Sequence, residues 1–209
     1  MLISVLFLNS LGSLTLHAAN WPQWRGPNGD GISPETNVPV KWSAAENIAW
    51  RTPIPGESHS SPVVWEDTVF VTTALPDTQA RLLLRLDART GNILWQRTVV
   101  NAAPEYMHRE NSLASSTPVT DGERVYTSFQ NAKRVDLQCY DFEGKQLWSA
   151  QPLEFEGEHG YSYTPVIYGD LLFFDCRQEG EAALLALTRK RRLESIPHSA
   201  KRKHIGEGV

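Results

Sequence analysis

Hydrophobic and polar positions alternate along this chain in short runs that come round almost three times. The first round opens Ser60-Ser61-Pro62-Val63-Val64, breaks at Glu66-Asp67 and resumes at Val69-Phe70-Val71. It continues from Leu82 to Asp87 and ends Thr90-Gly91-Asn92-Ile93-Leu94-Trp95. The second opens Ser115-Ser116-Thr117-Pro118-Val119, passes Val125-Tyr126-Thr127 and Leu137 to Asp141, and ends Gly144-Lys145-Gln146-Leu147-Trp148. The third opens Tyr163-Thr164-Pro165-Val166-Ile167, continues Leu172-Phe173-Phe174 and reaches Leu184-Leu185-Ala186-Leu187. The prolines stand 56 and 47 residues apart. A period of that size marks a propeller or solenoid assembled from one supersecondary unit.

Each round predicts four short antiparallel strands. In the first they are Pro62 to Val64, Thr68 to Thr73, Arg81 to Asp87 and Asn92 to Thr98. Val, Ile, Leu and Phe dominate these runs, and Gly-Asp or Thr-Gly pairs separate them. The segments opening at Asp87 and Asp141 and closing at Gly91 and Gly144 read as hairpin turns. Asp bonds the turn backbone there, and Gly accepts the positive φ. No stretch of the body carries a helical period. The fold class is therefore all-β, an incomplete β-propeller of about three four-stranded blades at 60–98, 115–150 and 162–187. Ile48-Ala49-Trp50-Arg51 repeats the end of a fourth strand without its blade, and so predicts a ring-closing strand at 47–52.

Residues 20–46 are too rich in Gly and Pro for a helix or a regular strand, and predict an irregular strap. Trp21, Trp24 and Trp42 would be costly to expose, so the strap is expected to pack on the body. Residues 1–19 are apolar and uncharged, with small residues at the exit, and predict a cleaved secretory signal. The expected location is secreted or periplasmic, or at the cell surface, with no membrane span once the signal is gone.

The Asp87-Ala88-Arg89-Thr90-Gly91-Asn92-Ile93-Leu94-Trp95 run resembles the Asp-x-x-Thr-Gly-x-x-x-Trp "tryptophan-docking" motif of pyrroloquinoline-quinone-like propeller repeats. Asp141 to Trp148 matches it with one residue fewer and no Thr. The opening Trp21-Pro22-Gln23-Trp24-Arg25-Gly26-Pro27 is similar to the start of a secreted bacterial subgroup of that family. The resemblance covers residues 20 to 187. It implies that Trp50, Trp95 and Trp148 pack between neighbouring blades, with Asp87, Gly91, Asp141 and Gly144 as structural anchors of the turns.

After Leu187 the pattern stops. Seven of the 20 Lys and Arg residues fall between Arg189 and Lys203, so residues 188–209 carry +5 against −9 for the rest of the chain. A functional basic arm follows a completed domain, and three blades do not close a ring. Residues 188–209 are therefore expected to be an aberrant basic tail from a frameshift or early stop. No nucleic-acid partner is expected.

Candidate chemistry is sparse. Glu57 and His59, His108 and Glu110, and Glu158 and His159 all fall in the loops leading out of one blade into the next. Imidazole beside carboxylate could hold a divalent metal or polarise a ligand there. The hydroxyl residues before each proline fit a crowded inner blade end and bond neighbouring backbone. Nothing near them supplies the base and oxyanion donors that a serine nucleophile needs. Cys139 and Cys176 lie in strands of different rounds without Cys-x-x-Cys spacing, and are expected to be buried and unbridged.

For the resemblance to imply a quinone enzyme, a calcium held by Glu, Asn and Asp, an Asp base, a Trp platform and usually a vicinal disulfide are required. None maps onto this chain. The reading is an exported non-catalytic platform for a protein, a polysaccharide or a small ligand, with no cofactor and no catalytic residue. The alternatives are a fragment of a quinone (PQQ)-dependent dehydrogenase with PQQ and calcium, an outer-membrane protein assembly scaffold, and a sensor propeller related to Ser/Thr kinase-associated domains.

Overall fold

The computed structural model of the chain describes residues 19–176 and 183–189. The predicted signal up to residue 18, and all of the basic tail beyond Arg189, lie outside them. Blade 1 is a sheet in the order β1 (Val63–Trp65), β2 (Thr68–Leu75), β3 (Ala80–Asp87), β4 (Ile93–Asn101). Blade 2 repeats it with β5 (Val119–Thr120), β6 (Arg124–Asn131), β7 (Arg134–Asp141) and β8 (Gln146–Ala150). Blade 3 has three strands among the described residues, β9 (Val166–Tyr168), β10 (Leu171–Cys176) and β11 (Ala183–Thr188). Every pairing is antiparallel between neighbours in sequence. The array is an arc of an incomplete β-propeller.

Middle strands carry buried side chains on both faces, and blade 2 lies between blades 1 and 3. Along β3, Leu82, Leu84 and Leu86 face one cluster with Val69, while Leu83 faces the opposite side with Phe70. There Leu83 meets Val125, Phe129 and Tyr140 of blade 2. Along β7, Val135, Leu137 and Cys139 turn instead toward Leu172, Phe174, Cys176 and Leu187 of blade 3. The two-residue period of the strand is what sends alternate side chains to different blades. Both cysteines are free and buried, and burial pushes each thiol up to about 12.

Hydroxyls stitch the inner ends of the blades. The Ser61 N–H donates to Thr117 Oγ1 at 3.0 Å, and the Thr117 N–H donates to Thr164 Oγ1 at 3.1 Å. Each of these residues immediately precedes the opening proline of its blade, so the rung recurs with the proline spacing. A second rung runs beside it: Thr72 Oγ1 donates to Ser116 O, and Ser128 Oγ donates to Tyr163 O, both at 3.1 Å.

Indoles stitch the opposite edges. Trp50 Nε1 donates to Ala88 O at 2.9 Å, and Trp95 Nε1 donates to Phe142 O at 2.8 Å. Both acceptors follow the Asp that opens a hairpin turn. Two residues beyond each Trp a second donor reaches the glycine carbonyl of the same turn: Thr52 Oγ1 to Gly91 O at 2.6 Å, and Arg97 Nε to Gly144 O at 2.8 Å. These turns leave no room for a side chain. A Cβ on Gly91 (φ +73°) would stand 2.5 Å from the Trp50 ring. Asp87 Oδ1 receives the Arg89 and Thr90 N–H groups, which hold its carboxyl below the usual carboxylate range, Thr90 contributing most. Asp141 Oδ1 receives the Lys145 N–H in the same way.

The third stitch is missing. Trp148 Nε1 is buried without a hydrogen-bond partner among the described residues, and the residue two beyond it is Ala150, which offers no side-chain donor. The turn it would meet opens with Thr188 instead of Asp. Arg189 spans that interface instead, donating to Asp121 Oδ2 at 3.1 Å and Asp170 Oδ1 at 3.0 Å.

Residues 47–52 form no strand, because no blade among the described residues offers them a neighbour, yet the Trp50 side chain still seats on blade 1. The strap is only partly packed. Trp21 pairs with Val64 through two backbone bonds, and Pro22 O accepts the Thr120 N–H, so the strap spans the inner strands of blades 1 and 2. Trp24 and Trp42 remain 55% and 67% exposed, contrary to the expectation that all three rings pack. After Trp24 the chain turns at Arg25 and Gly26, both at positive φ, and residues 27–49 all stay exposed.

Candidate functional site

In an antiparallel meander, the turns between second and third strands share one end of the sheet with the exit of the fourth. The loops between blades and the β2–β3 and β6–β7 turns therefore share one face, opposite the hairpins that receive the indoles. The six His and Glu candidates lie on the loops between blades, and all are exposed.

The structure brings two of them together. The His108 and His159 rings stand edge to face with centroids 5.7 Å apart. The His108 N–H donates to His159 O at 3.4 Å, and Asn111 Nδ2 donates to the same oxygen at 2.6 Å. Successive loops are thus tied to each other at this point. His108 Nδ1 accepts the Glu110 N–H at 3.3 Å, and the Glu110 side chain lies 3.7 Å from Arg109. His59 belongs to the preceding loop, with its backbone N–H on Ala114 O, and takes no part in the pair. Glu57 pairs its backbone with Ala74 in both directions while its side chain points to solvent.

Beside the histidine pair a cleft of about 460 Å³ opens between the two loops and the β6–β7 turn. Glu105, Tyr106, Phe155, Glu156 and Glu158 come from the loops, and Gln130 and Lys133 from the turn. Phe155 is held at its base by edge-on contacts with Tyr161 and Tyr163, and by its backbone N–H on Lys133 O. Glu105 is also buried, with one oxygen on the Ala132 N–H at 2.6 Å and the other paired with Arg81. Arg81 lies on β3, so this carboxylate joins blade 1 to blade 2. Burial raises the Glu105 carboxyl and lowers the Arg81 guanidinium, with their mutual attraction opposing each shift. Tyr106 is 75% exposed, and Lys133 Nζ lies 3.8 Å from Glu156.

None of Tyr106, Glu105, Arg81, Gln130 and Lys133 was singled out by the sequence. Arg81 was the readable signal, as a cation at the head of an apolar strand that must find a carboxylate when buried.

Among the described residues no serine hydroxyl bonds a histidine, and the serines near the prolines spend their hydroxyls on backbone, on other serines and on the Asn111 side chain. A calcium–quinone site needs converging carboxylates and, in its usual form, two adjacent bridged cysteines. Among the described residues no group of three or more His, Cys, Asp or Glu converges on a metal position. The cysteines are free and lie on separate blades. The described residues do not fit that site.

The repeated rungs and seated indoles define a propeller of quinoprotein-like repeats. Residues 36–208 match the family model described as outer membrane protein assembly factor BamB, and the chain belongs to that family. The matched range runs on into the basic segment beyond Leu187. No curated protein matches the chain. Among solved structures, the fold is similar to a europium-containing methanol dehydrogenase, at 14% identity and a TM-score of 0.55. It is also similar to the quinohemoprotein alcohol dehydrogenase ADHIIG of Pseudomonas putida HK5, at 13% identity and a TM-score of 0.55. Each alignment covers 81% of this chain but only 30% and 25% of those proteins. The likeness is one of fold.

Proposed function

We propose that this protein is an exported, non-catalytic β-propeller whose loop face is a binding platform. The observation that supports this most is the division of labour between the two faces. The hairpin face spends its donors and acceptors on joining blades, while the loop face keeps an open cleft with exposed polar and aromatic side chains. Rigid scaffolds that present loops in this way are the common form of binding proteins. The family's description favours a protein partner in outer-membrane assembly over a polysaccharide. The quinone-enzyme reading is not adopted, since the described residues supply neither its ligand set nor its disulfide.

The test is site-specific photocrosslinking in cells that make the protein. A crosslinker at Tyr106 is expected to yield discrete adducts, and one at Leu94, exposed on β4, to yield none. Adducts at Leu94 alone, or none from either position, would overturn the platform. Dye reduction by the purified protein with added quinone, calcium and alcohol would overturn its non-catalytic character.

A further inference from the structure

We infer that the loop-face cleft binds a small organic cation, an alkylammonium or alkylguanidinium group. The inference rests on the platform reading of the same face and names the chemistry its cleft selects. Of the three carboxylates that line it, two are already committed. Glu105 is paired with Arg81 and the Ala132 N–H at the buried base. Glu156 has Lys133 at 3.8 Å. Glu158 is left, exposed, with no hydrogen bond or ion pair to any described residue. It shares the cleft with the Tyr106 ring, which packs on little, and with the buried Phe155.

One unspent carboxylate beside an uncovered aromatic face is the complement of one positive charge on an apolar stem. The ring attracts a cation through its quadrupole and covers the stem, while the carboxylate takes the charged hydrogen bonds. A neutral ligand would leave Glu158 unanswered, and an anion would meet three carboxylates against a single ammonium at the rim. The volume lies within the range of sites for small ligands. Nothing in the histidine pair competes, because those rings face each other and their loop carbonyl is already doubly bonded.

The experiment is an NMR titration of the whole protein with n-butylguanidinium and, separately, with n-butylurea, which has the same shape without the charge. Saturable shifts of the Tyr106, Lys133 and Gly157 amides are expected with the guanidinium only. Tyr106→Ala and Glu158→Gln should each weaken that response roughly two- to fivefold, as an exposed cation contact implies. Glu143→Gln, on the hairpin face, should leave it unchanged. Equal response to the urea, indifference to both cleft substitutions, or no saturable shift would overturn the cation site. Loop-face crosslinks that persist in that event leave the platform reading standing, whereas their loss would remove both.

Discussion

The two faces of this arc differ in how completely their polar groups are used. On the hairpin face, Trp50, Thr52, Trp95, Arg97 and Arg85 all donate to carbonyls of the next turn. On the loop face, Tyr106, Glu158 and the side chain of Glu57 stay in solvent, and the exposed histidine rings stand edge to face, with His108 Nδ1 accepting only the Glu110 N–H. A face whose indoles and arginines are committed to the next turn holds register between blades. The loop face has the reverse character, which is why we propose it as the face of recognition.

One loop-face residue crosses this division, and it gives the largest expected effect. Glu105→Gln leaves the buried Arg81 guanidinium without its paired carboxylate, with only the more distant Asp136 to answer it. Breaking such a pair costs about 3–5 kcal/mol, which chemical denaturation would register as a clear fall in midpoint. A loss of less than about 1 kcal/mol would mean that the pair does not join the blades.

Within the hairpin face, the indoles sharpen the comparison. Trp95→Phe removes a donor to Phe142 O and should cost about 1–2 kcal/mol in the same measurement. Trp148→Phe removes an N–H that has no partner among the described residues, so its lost volume is offset and the net change should stay within about 0.5 kcal/mol. Equal losses from the two would show that ring packing, and not the stitch, sets the interface.

The smallest effect is one of slope. The folded state holds the Asp87 carboxyl below its ordinary value of 3.8, chiefly through Thr90. A depressed carboxyl contributes stability that is present above the unfolded value and is lost as pH falls through the folded one. Asp87→Asn should therefore flatten the acid limb of the stability profile below about pH 4 while leaving its shape near neutrality unchanged. An unaltered acid limb would mean that the turn bonds are equally strong to a neutral amide.

Much of this was legible in the chain. The proline spacing announced the blades, and the same spacing recurs in the hydroxyl rungs, whose residues were read as bonding neighbouring backbone. Trp50 and Trp95 were read as anchors between blades and seat on their turns. The second donor, two residues beyond each Trp, was not read, because Thr52, Arg97 and Ala150 share no side-chain chemistry and only geometry relates them. The exposure of Trp24 and Trp42 was missed because the cost of exposure says that a ring seeks cover, without saying that cover is within reach. At the site, the six His and Glu residues lie on the segments between strands, and of these only the His108 and His159 rings meet. The cleft beside them depends on Glu105 and Arg81, which lie 24 residues apart with no motif to link them.

The most direct test of this division is the stability of the double variant Tyr106→Ala, Glu158→Gln, measured by denaturant unfolding beside the parent. On the proposed division these exposed side chains serve recognition and not folding, so the midpoint should move by no more than about 0.5 kcal/mol equivalent. A loss above about 2 kcal/mol would show that they are structural, and would contradict the assignment of binding to this face.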